Sequence, residues 1–160
     1  MAVDIVGFAH VKLPVTDVGR SARWYASLLG MRLCMEIVEQ GQLRGAELVE
    51  PASGIKIALR DRSVCAGQPI LGGFDVVAVE LVSAEAVHAM AEWCADNDVE
   101  IIGILDFPGG AAMDVPDPDG TVIRIHHASG RPPFLGVETG AQGETDTYAT
   151  PRLTGVPVAD

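Results

Sequence analysis

The stretch HVKLPVTDVGRSARWYASLLG, residues 10–30, decides how the rest of the chain is read. Its opening residues alternate, with Val11, Leu13 and Val15 on one face, the pattern of a strand packed on one side only. The period then changes. Asp17 is of the type that caps a helix N-terminus, Trp24, Tyr25, Leu28 and Leu29 fall on one helical stripe, and Gly30 suits a left-handed C-terminal cap.

The same order is written a second time. Residues 7–60 and 73–126 align without a gap, Gly7-Phe8 falling on Gly73-Phe74, Val11 on Val77, Val49 on Val115, Gly54 on Gly120 and Ile57 on Ile123. In the second copy DVVAVEL puts Val77, Val79 and Leu81 on one face. Ser83 caps a helix whose stripe is Val87, Met90, Ala91 and Cys94. Strands follow each helix, at 33–39, 44–50 and 55–60, then at 99–105, 110–116 and 121–126. Phe107-Pro108-Gly109-Gly110, the DPDG turn at 117–120 and a linker at 61–72 punctuate them. The class is therefore α+β, with two tandem βαβββ modules at about 5–60 and 73–127 in one domain, 1–127. Residues 128–160 are rich in Gly, Pro, Thr and Ala and show no period. They read as a mobile tail, or as an arm laying Pro132, Pro133, Phe134, Leu135 and Tyr148 across the domain or a partner subunit.

Composition narrows the function. The 160 residues are 48% hydrophobic, long enough for a sizeable core, yet no apolar run reaches the roughly 18 residues of a membrane span. The start MAVDIVGFAH lacks the basic flank and apolar run of a secretory signal. A net charge of −11 argues against nucleic acid and anionic membranes as partners. Cys34, Cys65 and Cys94 show no CxxC spacing and leave one thiol over in any pairing, which points to reduced thiols in a cytoplasm.

The repeated βαβββ pattern, SARWYASLLGMRL at 21–33 and DPDG before the last strand resemble the vicinal oxygen chelate superfamily. That group includes glyoxalase I, fosfomycin-inactivating enzymes, bleomycin-binding proteins, methylmalonyl-CoA epimerase and extradiol dioxygenases. The resemblance covers about residues 5–127. It implies that the modules form a curled, barrel-like mixed sheet with a central cleft, within one chain or between two, and it implies a homodimer. It also implies metal ligands from the first and last strand of each module, which carry over to His10 and Ala58, and to Val76 and Arg124. Only His10 keeps a donor.

Strand parity supports this placement independently. Ile55, Ile57 and Leu59 alternate with Lys56, Ala58 and Arg60, and Ile123 and Ile125 alternate with Val122, Arg124 and His126. The apolar set faces the helices, so the other set faces the concave side. Arg124 cannot ligate a cation, having donors and no lone pair, and it repels one. No metal and no cofactor are expected. What remains is a basic cleft of His10, Lys12, Lys56, Arg60, Arg124 and His126, with Val76 lining it and Glu80 as its acidic member. For Lys12, Lys56 and Arg60 the competing reading is a solvated strand end, and for His10 a structural imidazole. His88 and His127 read as structural or solvated, and Cys65 as incidental.

Two classes of function fit a small-molecule ligand in such a cleft. One is a metal-independent enzyme on an oxygenated, anionic metabolite, performing isomerase, epimerase or lyase chemistry. Arg124 would hold the developing negative charge, His10 would act as general acid or base, and Glu80 would be the alternative base. The other is a sequestering protein without turnover. A metal-dependent glyoxalase or dioxygenase, the third reading, needs ligands that the carried-over positions do not supply.

Overall fold

The computed structural model describes residues 6–130, 134–142 and 145–157. The chain divides into two compact units, Met1–Ala128 and Ser129–Asp160.

In the first unit, β1 (Val11–Val15), α1 (Val18–Leu29), β2 (Arg32–Glu39), β3 (Gln42–Val49) and β4 (Lys56–Asp61) make one module. A second module repeats it with β5 (Asp75–Glu80), α2 (Ala84–Asp96), β6 (Gly103–Phe107), β7 (Gly110–Pro116) and β8 (Val122–Ala128). Each forms its own four-stranded mixed sheet, ordered β1-β4-β3-β2 and β5-β8-β7-β6, in which the first strand runs parallel to the last. The ladders do not close into a barrel: β1, β2, β5 and β6 are edges.

The helices begin and end where their caps dictate. Asp17 accepts from the Arg20 amide and Ser83 from the Ala86 amide, while Gly30 closes α1 at φ 64°. Each helix lies on its own sheet. The first core gathers Leu13, Val15, Tyr25, Leu48, Ile57 and Leu59, but it also takes in Val77 and Ile123 from the second module. The second core, around Val87, Cys94, Met113 and Ile125, takes in Leu28 from α1. The two modules thus share their apolar interior.

A polar latch joins them as well. Asp117 is 5% exposed, and its Oδ1 accepts from the amides of Asp119 and Thr121 while its Oδ2 accepts from the Tyr25 hydroxyl at 2.9 Å. Asp119 in the same turn accepts from the Thr16 amide and hydroxyl. Burial, then the Asp117 charge, pushes the Tyr25 phenol far above its ordinary range, so it stays a donor.

Three features differ from the sequence expectation. The strand expected at 99–105 forms at Gly103–Phe107, because α2 ends on Asn97 with Asp98 at φ 54°, and the Val99 amide is bound by the Cys94 carbonyl. Val99 and Ile101 consequently pack against the second core instead of joining the ladder. The gapless repeat is also one residue out in the third strand. Glu47 sits opposite Ala58 while Asp114 sits opposite Arg124, so Val49 corresponds to Pro116 and not to Val115. The turn 117–121 is one residue shorter than its counterpart 50–55. Lastly, the second unit is not without structure. β9 (Gly136–Thr139) and β10 (Thr145–Tyr148) pair as an antiparallel hairpin, with the Arg152 guanidinium over the Tyr148 ring at 4.5 Å. β-branched Val137, Thr139 and Thr147 supply the strand preference that composition hid. Pro132 and Pro133 lie outside the described residues.

Candidate functional site

The face of each sheet turned away from its helix carries a charged cluster built on the same strands. On the first sheet His10, just before β1, meets Glu47 from β3, with Nδ1 at 3.4 Å from Oε2. Lys56 at the start of β4 approaches the other oxygen at 3.1 Å. The Glu47 side chain is 14% exposed, so its charge is largely enclosed by these partners. The Lys56 hydrogen bond, with smaller contributions from His10 and the Cys34 thiol, holds the Glu47 carboxyl below its ordinary range. Glu47 in turn raises the Lys56 ammonium. Cys34 reaches this cluster because a register shift between Leu33 and Met35 places an extra residue across from β3. His10 and Lys56 line a cavity of about 360 Å³ with Phe8, Val77, Ala78 and Val79.

On the second sheet the charge pattern is inverted. Arg124 on β8 donates from Nε and Nη2 to both oxygens of Asp114 on β7, each at 2.9 Å, and its Nη1 lies 3.1 Å from Asp75 at the start of β5. The paired carboxylates raise the guanidinium further above its already high range, Asp114 contributing most. Arg124 and His126 line a groove of about 490 Å³ whose wall includes Ile102, Leu105 and Phe107, and Leu105 is 65% exposed.

The residues singled out from the sequence are distributed between these clusters. His10, Lys56, Arg124 and His126 lie on the expected side of their sheets. Lys12 is exposed on β1 opposite Ala58. Arg60 is engaged by Glu39 at 2.7 Å and by the Arg44 carbonyl, away from His10. Glu80 lies on the β5 edge opposite His126. Val76 is placed differently. A bulge between Asp75 and Val77 sets Asp75 opposite Val122 and turns Val76 toward the first core. Asp75 therefore takes the place that the carried-over pattern gave to Val76.

Asp75, Asp114 and Glu47 were missed. For Glu47 and Asp114 a signal was present: each is the polar residue between buried neighbours, Ala46 and Leu48 or Met113 and Val115. The one-residue slip in the repeat concealed their correspondence. The bulge that presents Asp75 has no local sequence signature in DVVAVEL.

The donor set does not fit a divalent metal at the four carried-over positions. Ala58 offers nothing, Arg124 is a fixed cation, and Asp75 is already held by that guanidinium. Among the described residues no group of three or more His, Cys, Asp or Glu converges as a metal site.

Comparison with known proteins agrees with this architecture. The family described as the Glyoxalase/Bleomycin resistance protein/Dioxygenase superfamily matches residues 7–125. Among curated proteins no sequence matches significantly. Among solved structures, a glyoxylase/bleomycin resistance protein/dioxygenase domain from Frankia sp. EAN1pec superposes with a TM-score of 0.65 at 21% identity, over 79% of this chain and 94% of that one. The fosfomycin resistance protein FosX from Listeria monocytogenes gives 0.62 at 16% identity, over 79% and 96%. Lactoylglutathione lyase from Agrobacterium tumefaciens gives 0.62 at 12%, over 78% and 95%. At these identities the likeness is one of fold, and the members' chemistries differ. On the match over residues 7–125, the chain belongs to the Glyoxalase/Bleomycin resistance protein/Dioxygenase superfamily.

Proposed function

We propose that the chain is a metal-independent acid–base enzyme of the isomerase, epimerase or lyase type, acting on a small oxygenated metabolite through His10. The observation that carries this reading is the Glu47 carboxylate shared between His10 and Lys56. With Nδ1 directed at Glu47, the lone pair of the imidazole sits on Nε2, available to a substrate proton. Glu47 is the positioning residue, and Lys56 and Lys12 are the cations nearest to a developing alkoxide or enolate.

The Arg124 arrangement modifies the expected substrate. One guanidinium between two carboxylates leaves that cluster at −1, which turns away a carboxylate ligand. Two N–H groups remain for a hydroxyl or carbonyl oxygen, so a neutral oxygenated substrate fits better than an anion. Glu80, beside His126, is the alternative base. The reading includes a reduced, cytoplasmic setting and a homodimer. Among the described residues no helix is long and apolar enough to cross a membrane.

The exposed wall of Ile102, Leu105 and Phe107 favours a second reading, sequestration without turnover. One experiment separates the two. Wild type and His10→Gln are incubated with a panel of α-hydroxy ketones, epoxides and lactones in D2O, with and without EDTA, and followed by ¹H NMR. Deuterium exchange or product formation is expected in wild type, unaffected by EDTA, and about 10²- to 10⁴-fold slower in His10→Gln with little change in KM. Ligand binding with no exchange in either protein would leave only sequestration. Loss of activity in EDTA would overturn the metal-independent assignment.

A further inference from the structure

The internal repeat allows each half to serve as a reference for the other, and one place filled in the first half is open in the second. Tyr25 stands at the same distance beyond the cap Asp17 as Ala91 stands beyond Ser83. The Tyr25 ring is fully buried beside Leu13 and Val15, both 0% exposed, and its hydroxyl reaches Asp117 in the β7–β8 turn. Glu50 is the counterpart of Asp117. It follows the last pair of the β3–β4 ladder as Asp117 follows that of β7–β8. Its amide binds the Ile55 carbonyl as the Asp117 amide binds that of Thr121. Its carboxylate likewise accepts within its own turn, Oε1 from the Ala52 amide and Oε2 from the Ser53 amide and hydroxyl, which leaves Oε1 a lone pair for a further donor.

Where Tyr25 has a ring, Ala91 has a methyl group, in the same apolar cluster as Val79, Leu81 and Met90, and a cavity of about 310 Å³ opens beside those three residues. Val79, Leu81 and Met90, the counterparts of Leu13, Val15 and Trp24, line it together with Leu28, Met31 and Glu50. Val79 and Leu81 are only half-buried, as expected for positions that lack their covering ring. Their parity places the cavity on the helix side of β5, opposite the side that carries Arg124 and His126.

We infer that this cavity is a binding site for a phenol-sized aromatic molecule bearing a neutral hydrogen-bond donor, a phenol or an aryl amine. The ligand takes the place that Tyr25 occupies in the other half, its ring on Val79, Leu81 and Met90 and its donor on Glu50. An apolar cavity of roughly 150 Å³ suffices for benzene, so the volume admits a substituted ring. Glu50 excludes anions. The inference does not depend on the chemistry proposed for His10.

The test uses phenol as probe, with toluene and benzoate as controls, and protein labelled with ¹³C at the methionine methyls. Phenol should shift Met31 and Met90, which line the cavity, while Met35 on the other side of its sheet stays still. Its Kd should be on the order of 1 mM or tighter. Toluene, lacking the donor, should bind about 10-fold more weakly, and benzoate should not bind. Ala91→Tyr should raise Tm and abolish the phenol shifts. If it does not fold, Met90→Trp, which restores the counterpart of Trp24, should weaken the shift of the remaining reporter, Met31. The wild-type titration decides by itself: no movement of Met31 and Met90 at saturating phenol, or equal movement of Met35, overturns the inference.

Discussion

Tyr25→Phe removes one oxygen atom and nothing else from the interior. The ring continues to fill its place between Leu13, Val15 and Ile57, so no cavity term arises. What is lost is the donor to Asp117 Oδ2, an oxygen in a residue 5% exposed, with both neighbouring amides committed to Oδ1. A hydrogen bond to a charged acceptor contributes about 1.5–3 kcal/mol, and burial of the orphaned carboxylate keeps the loss toward the upper part of that range. For a chain of this length the expected fall in Tm is roughly 4–10 °C. The sign of the pH dependence supplies a second check. The phenol is raised above its ordinary value near 10 in the folded state, so its contribution is fully present below pH 10 and is lost as pH rises above it. Phenylalanine cannot ionise. Urea unfolding at intervals from pH 7 to pH 11 should therefore show a constant gap between wild type and variant up to about pH 10. Above that the gap should narrow by about 1.4 kcal/mol per pH unit. A gap under about 0.5 kcal/mol at pH 7, or one that does not narrow in alkali, would refute the latch between the modules.

Other outcomes follow from the same coordinates. Arg124→Met should cost about 1 kcal/mol at neutral pH, because the cluster is partly exposed, and Asp114→Asn in the same chain should recover part of it; a double-mutant cycle with no coupling would break the assignment. The Asp61 carboxyl is lowered to about 2, first by the Ser63 hydroxyl and then by Arg44. Its contribution to stability is present above pH 4 and lost as pH falls toward 2. Carboxyl NMR titration should find its midpoint near 2, rising more in Ser63→Ala than in Arg44→Ala.

Much of the fold was legible because it depends on short-range periodicity. Strand alternation in β1 and β5, the caps Asp17, Ser83 and Gly30, and the DPDG turn all act within a few residues, and they held. The concave parity of Arg124 was readable for the same reason. What Arg124 does there was not, since its partners Asp75 and Asp114 come from two other strands. Their orientation hangs on a bulge and on a repeat register displaced by one residue. The β6 shift has a similar origin: Val99 and Ile101 read as strand, but the end of α2 draws them under the helix. Tyr25 was assigned correctly to the buried stripe, yet its bond to Asp117 spans nearly the whole unit and has no local trace.

We assign the proposed acid–base chemistry to the first sheet on a contrast between the two halves. In both, the first and third strands bring a side chain to the same place: His10 and Glu47 in one module, Asp75 and Asp114 in the other. The fourth strand then supplies a cation in each, Lys56 and Arg124. Arg124 is a strong permanent cation facing two acids, and its fork is used on both. Glu47 is a single carboxylate between a permanent cation, Lys56, and a group that exchanges protons, His10. Lys56 balances the Glu47 charge from one side, and His10 Nδ1 faces the same carboxylate from the other. There an imidazole, a carboxylate and a cation stand within reach of one another, the three parts that the proposed acid–base chemistry uses. The second sheet instead presents a paired arginine beside the exposed Leu105 and Phe107, which line the same groove.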